Sequence, residues 1–160
     1  MNTVDRHLEK GNKYNTPQLI VVHAMGEFII DPKPKHATDF LEGYGLSAHA
    51  LVDHTGQVFI CRHDDEGAYH ARGFNTNSLG IEFLVKGEHN YGSFLEAIKT
   101  DYVTADQYQA GVECVRNWKQ LHKIKKIARH SDLSPGRKVD PGSGFPWVEF
   151  MKDITEQDNG

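Results

Sequence analysis

Cysteine is scarce in this chain: Cys61 and Cys114 are the only two in 160 residues, far apart and outside any CxxC spacing. That excludes a disulfide framework and a cysteine-built zinc module, and leaves two unpaired thiols suited to a reducing compartment. The HExxH signature of helical zinc proteases is absent as well. No apolar run approaches the roughly 18 residues of a membrane span, and the polar start MNTVDRHLEKGNKYN lacks the apolar core of a secretory signal. The chain is therefore expected to be cytoplasmic as synthesised, with no membrane span. A basic excess is missing too: the net charge is -4, which argues against a nucleic-acid partner.

What is present describes a soluble globule of one domain. Hydrophobic residues make up 38% and charged residues 25%, with both signs interspersed, in a chain long enough to bury a single core without covalent staples. The compositional oddity is histidine, of which there are ten.

Residues 1–17 are polar, end at Pro17, and read as an arm lying on the domain. QLIVVHAM (18–25) is a short β-branched run typical of a strand buried on both faces, with His23 near its end. DPKPK (31–35) reads as a loop, and HATDFLEGYG as a short helix stopped by Gly43 or Gly45. SAHALVDHTGQVFICR (47–62) has the form of a β-hairpin. NSLGIEFLV (77–85) is a strand in which Glu82 lies on the face opposite Ile81 and Phe83.

The clearest helix is 104–123, N-capped by Thr104, with Tyr108, Val112, Val115, Trp118, Leu121 and His122 at three- and four-residue spacing. KIKK (123–126) reads as its solvated end. KKIARH should be a short strand ending at His130, and PWVEFMKDI a closing helix opened by Pro146. Strands alternating with helices predict an α/β fold, a mixed central β-sheet flanked by helices in a single domain. Its core is bounded at 18–152, with a polar tail at 153–160.

Two histidines at the ends of separate strands, His23 and His130, with Asp140 in the loop after the second, form a candidate three-ligand metal site. Catalytic zinc uses such a set, with three protein ligands and one open position. For each histidine alone, an ordinary surface or core imidazole is the commoner explanation. By the same standard Glu82 alone is a solvated strand residue and Lys138 a surface lysine in a weak ion pair.

Four stretches change that balance: IVVHAM, LSAHALVDHTGQVF, AYHARGFNTNSLGIEF and ARHSDLSPGRKVDPG. In order and spacing they resemble the type 2 N-acetylmuramoyl-L-alanine amidases, a zinc family shared by phage endolysins, bacterial wall-recycling enzymes and peptidoglycan recognition proteins. The resemblance covers about residues 18–150. It implies zinc held by His23, His130 and Asp140, with Lys138 steadying the oxyanion. Glu82 takes the place of the general base in the wall-recycling branch; phage relatives lacking it put a tyrosine where this chain has Ala48.

The chemistry asks for the same residue types. An amide is a poor electrophile, so a metal must polarise its carbonyl while a carboxylate moves protons. Peptidoglycan or a muropeptide is the implied partner, and Tyr69, His70, Arg72, Phe74 and Asn75 the candidate groove lining. Arg72 and Arg137 are placed to pair with stem-peptide carboxylates. His49 is expected in the core or behind a ligand; His7, His36, His54, His63, His89 and His122 are read as surface residues. GYG (43–45) lacks the third glycine of a nucleotide loop.

Two departures stand out. Met25 replaces a small hydroxyl residue that the family often carries, and residues 86–103 are an insertion-like stretch that does not align. A non-catalytic peptidoglycan-binding module is the main alternative, and a structural or storage zinc site a third. Delivery to the wall, if it occurs, would use a holin or another route, and the chain is expected to act as a monomer.

Overall fold

The run QLIVVHAM becomes the spine of the molecule. In the computed structural model, which describes residues 1–156, it forms the first half of β2 (Leu19–Ile30). The strand runs past Gly26 because a second partner waits there. β3 (Pro34–His36) pairs antiparallel with Phe28–Ile30, so the expected loop at 31–35 shrinks to a tight turn. A proline is tolerated in β3 because that strand lies at the end of the sheet, where a missing N–H breaks no ladder.

The sheet runs β1 (Thr3–Asp5), β5 (Val58–Ile60), β4 (Ala50–Val52), β6 (Ser78–His89), β2, β3. β7 (Lys126–Arg129) lies parallel against Leu19–Val22. The β4–β5 hairpin is antiparallel, whereas β4, β6, β2 and β7 run parallel to one another. The helices are α1 (Ala37–Gly43), α2 (Tyr91–Ala97), α3 (Ala105–His122), α4 (His130–Leu133) and α5 (Trp147–Glu156). This is the mixed α/β architecture that the alternation of elements predicts. Residues 153–156 of the expected tail complete α5, and 157–160 lie outside the described residues.

Side chains alternate across the sheet and so divide the molecule into two layers. Ile20, Val22, Ala50, Val52, Leu79, Ile81 and Phe83 face α3 and α5 and form the main core with Val115, Trp118 and Phe150. On the other face Leu19 and Val21 pack with Ala128, while Leu51 and Leu84 pack with Leu8, Ala37 and Leu41. His23 and Glu82 belong to this second face by the same alternation.

α3 starts where expected, with Thr104 and Gln107 forming a reciprocal capping box. Fully buried Gln107 also donates to the carbonyls of Val52 and Leu84, tying the helix to two neighbouring strands. The expected apolar stripe fails at its end: Leu121 is 71% exposed, because the helix has by then passed the edge of the core. KIKK is not a solvated helix end either. Lys123 turns left-handed, Ile124 is buried, and Lys126 opens β7.

The first 17 residues do lie on the domain, and they contribute β1, parallel to β5. Arg62 fastens them; its buried guanidinium donates to the carbonyls of Leu8 and Asn12.

His49, at the start of β4, is fully buried. Its Nδ1 accepts from the Gly80 N–H at 3.1 Å and its Nε2 donates to the Glu66 carbonyl at 2.7 Å, an arrangement that requires the neutral ring. Burial lowers its pKa to about 4, Arg62 adding to the effect while Glu66 and Asp64 oppose it. The folded value lies below the ordinary 6.5, so the stability it represents is present above pH 6.5 and is lost as pH falls toward 4. Urea unfolding of wild type and His49→Gln between pH 7.5 and 4.5 should show the wild type losing about 2–3 kcal/mol more than the variant. Parallel losses in the two proteins would remove His49 as the source.

A second expectation concerns Gly111, buried in the middle of α3. A methyl group there would sit 2.4–2.5 Å from ring carbons of Phe83, itself fully buried against Phe145 and Phe150. Helix propensity favours Gly→Ala by about 1 kcal/mol, but overpacking a rigid aromatic costs about 1–3 kcal/mol. Gly111→Ala should therefore lower the urea midpoint, and a raised midpoint would mean that the Phe83 ring yields freely.

Candidate active site

Strand register assembles the site. β2 and β6 are parallel with His23 opposite Glu82, so both side chains leave the same face at the same height. β2 and β7 are parallel with Val22 opposite Arg129, so the next residue of each chain segment, His23 and His130, meet beyond the last pair. The expected strand stops one residue before His130, which instead opens the single-turn helix α4.

The chain then returns through Pro135 and Gly136 to Asp140. Ser131 N–H donates to the Asp140 carbonyl at 3.0 Å, closing this loop, and Ala24 N–H donates to Asp140 Oδ2 at 3.3 Å. That amide lies two residues beyond the last β7 pair, so the carboxylate occupies the place where another strand residue would have been.

Three ligand atoms converge as a result. Nδ1 of His23 and Nδ1 of His130 are 3.0 Å apart; Asp140 Oδ2 is 3.3 Å from the first, and Oδ1 is 3.1 Å from the second. All three residues are buried, and their ligand atoms lie within 4.8 Å of one another. The Nε2 of His130 is buried without a partner, so all polar interactions of that ring lie on the cluster side. Lone pairs so close repel unless a cation lies among them. Tetrahedral coordination at about 2.0–2.1 Å places neighbouring ligand atoms about 3.3 Å apart, close to what is seen here. The donor set thus fits a divalent metal.

Glu82 flanks this cluster, its Oε2 3.9 Å from His23 Nδ1. Burial raises its pKa to about 7, with nearby Asp140 adding to the effect and His23 and Lys138 opposing it. Burial works against charge on His23, yet Glu82 and Asp140 together hold its pKa above the ordinary value. Asp140 shifts the other way: although burial opposes ionisation, hydrogen bonds to His130 and His23 keep it ionised far into acid. The carboxylate beside the cluster is thus held above its ordinary range and the one within the cluster below it.

The cluster floors a groove of about 690 Å³. Of the candidate lining residues, Tyr69, His70, Arg72 and Asn75 border it, as do Arg137, Lys138 and Met25. Asn75 also braces its own loop, its Oδ1 accepting from the N–H groups of His70 and Ala71. Phe74 is not brought into the groove. Its ring packs with Leu133 on Leu19, Val21 and Ala128, an apolar patch beneath the loop that competes successfully for it. His70 lies behind His23, its Nδ1 2.8 Å from His23 Nε2. Of the histidines read as surface residues, His54 pairs with buried Glu27 at 2.8 Å, His122 reaches Asp64 at 2.7 Å, and half-buried His36 caps α1.

The stretch 86–103 supplies parts that motif reading missed. His89, Asn90, Tyr91 and Phe94, at the end of β6 and in α2, wall one side of the groove. Farther on, Tyr102 donates its hydroxyl proton to the Pro141 carbonyl at 2.7 Å, and Gly144 N–H donates to the Ile98 carbonyl at 2.7 Å. The close approach needs glycine: a Cβ on Gly142 would lie 2.5 Å from the Ile98 carbonyl oxygen, and Gly142 has φ +86°. No motif announces this, because the contacts join two loops distant in sequence.

Parallel strands presenting a buried His-His-Asp set beside a carboxylate have the make-up of a hydrolase site on an α/β scaffold, with a donor set that could hold a metal ion. The profile of the N-acetylmuramoyl-L-alanine amidase family matches residues 13–143, and the chain belongs to that family. It is similar to the 1,6-anhydro-N-acetylmuramyl-L-alanine amidase AmpD of Escherichia coli K12, with 29% identity over 89% of this chain and 85% of that protein. Among solved structures it is similar to the N-acetylmuramoyl-L-alanine amidase LysC from Clostridium intestinale URNW (TM-score 0.75, 22% identity, 97% of this chain and 98% of that one). A selenomethionine derivative of AmpD is also similar (TM-score 0.69, 25% identity, 95% of this chain and 93% of that one). The chain is thus a type 2 amidase, as its four motifs imply. Among the described residues no helix is long and apolar enough to cross a membrane.

Proposed function

We propose that the chain is a zinc-dependent amidase that hydrolyses the bond between the lactyl carbonyl of N-acetylmuramic acid and the first L-alanine of the stem peptide, in peptidoglycan or in muropeptides. The observation that carries this reading is the convergence of His23, His130 and Asp140 with Glu82 beside them on the floor of a groove wide enough for a sugar joined to a peptide. When bound by those three residues, zinc supplies a Lewis acid for the amide carbonyl and lowers the pKa of water at its open position.

The protein's own groups do the rest. Glu82, with a pKa of about 7, takes the proton of the attacking water and returns it to the leaving amine. Lys138 lines the groove and steadies the negative charge that develops on the carbonyl oxygen. Tyr69 offers an aromatic face to the sugar. Arg72 and Arg137 provide cations for stem-peptide carboxylates, and Asn75 keeps the loop that carries Arg72 in shape. A carboxylate buried 3.9 Å from the His23 ring, on the floor of the groove, favours turnover over a binding module.

Intact sacculi and soluble 1,6-anhydromuropeptide, each digested with and without a chelator and analysed by mass spectrometry, should both be tested for release of free stem peptide. The expected outcome is release that stops with chelator and returns with added zinc; cleavage between sugars instead would sink the bond assignment. Glu82→Gln should keep one zinc per chain and lose about 10²–10⁴ in kcat, whereas unchanged turnover would end its role as the base. Lys138→Ala should lose about 10²–10³ in kcat with a much smaller change in KM.

A further inference from the structure

Behind His23 lies a chain of hydrogen bonds whose directions can be worked out from one fixed end. Ser78 Oγ is 2.6 Å from the Phe74 carbonyl oxygen, which has no proton to offer, so the hydroxyl gives its single hydrogen there. Ser78 Oγ is also 2.9 Å from His70 Nε2; with its own hydrogen committed it accepts, and His70 therefore carries a proton on Nε2. Among the described residues the ring nitrogens of His70 meet only Ser78 Oγ and His23 Nε2, with no carboxylate hydrogen-bonded to the ring to pair a second proton. Its Nδ1 is then a bare acceptor, 2.8 Å from His23 Nε2. His23 must donate from Nε2, and in the neutral ring its own Nδ1 is then left bare toward His130 and Asp140.

We infer that His70 and Ser78 are positioning residues: they hold His23 in the single tautomer and ring orientation that turn its Nδ1 lone pair into the metal cluster. The value of this for zinc rests on the metal reading above; the tautomer itself does not. Metal-ligating histidines generally donate their other N–H to an acceptor that fixes the ring. Here the acceptor is a second imidazole, fixed in turn by a buried serine.

Gly80 supports the same assignment from an independent direction. A Cβ there would lie 2.5 Å from His70 Nδ1 and 2.8 Å from two ring carbons, so the ring fits behind His23 only because residue 80 is glycine. Ser78, Gly80 and Glu82 are successive residues on one face of β6, paired with Leu19, Val21 and His23 of β2. The first anchors the relay, the second makes room for it, and the third flanks the cluster it serves. Motif reading placed His70 in the groove lining, and the structure gives it this second task.

Two readouts test the inference on the whole chain. In metal-free protein, long-range ¹H–¹⁵N correlation of the imidazoles should find the His23 proton on Nε2 in wild type and a mixed or shifted tautomer in His70→Ala. In competition with a chromophoric chelator, His70→Ala should bind zinc roughly 10–100-fold more weakly than wild type. His70→Asn, which keeps an acceptor oxygen at the position of Nδ1, should recover most of that affinity, and Ser78→Ala should fall between. Unfolding curves identify any variant that fails to fold, and the two milder substitutions then decide.

A neutral wild-type His23 whose proton sits on Nδ1 instead of Nε2, or equal zinc affinity in wild type and folded His70→Ala, overturns the relay. A wild type that binds no zinc at all overturns the metal reading instead, and the tautomer measurement then judges the relay by itself.

Discussion

The structure depends on one constraint above others, the register of three parallel strands. His23 stands opposite Glu82 because β2 and β6 pair in that register, and it meets His130 because β7 ends level with Val22. A slip of one residue in β2 would turn His23 into the layer of Phe83, Val115 and Phe150 and bring Val22 to the groove. The register is protected by that penalty: Ile20 and Val22 are fully buried on the far face, and a slip would carry the polar ring of His23 into their layer. Packing on one side of the sheet thus fixes chemistry on the other.

The second layer is built from polar groups that neutralise one another. His23, Glu82, His130 and Asp140 are all buried, an arrangement that would be costly for isolated charges. Backbone amides and neighbouring rings share the load. Asp140 takes an amide hydrogen from a stretch of β2 that β7 no longer covers, and His49 takes one from Gly80 while giving its own proton to Glu66. The polar floor is therefore part of the sheet's hydrogen bonding rather than an intrusion into it.

How much of this could be read beforehand follows from the range of the interactions. β2, β6 and α3 were legible because burial patterning and capping act over a few residues, and the Thr104–Gln107 capping box sits at the expected start of α3. His23, Glu82, His130, Lys138 and Asp140 could be named together because four motifs kept a known order, and the structure brings them to one groove. Local pattern failed where a distant partner decides. Pro34 enters a strand because Ile30 lies beside it, Phe74 leaves the groove for Leu19 and Val21, and Leu121 falls beyond the core that its spacing matches. Nothing in 86–103 signals that its end grips the loop after Asp140.

That grip joins two properties usually treated apart. The segment whose first half walls the groove, through Tyr91 and Phe94, holds with its second half, through Ile98 and Tyr102, the turn that follows a metal-cluster carboxylate. Residues that shape the groove wall and residues that support the turn after Asp140 thus belong to one continuous segment, so a change in its length or packing acts on both at once.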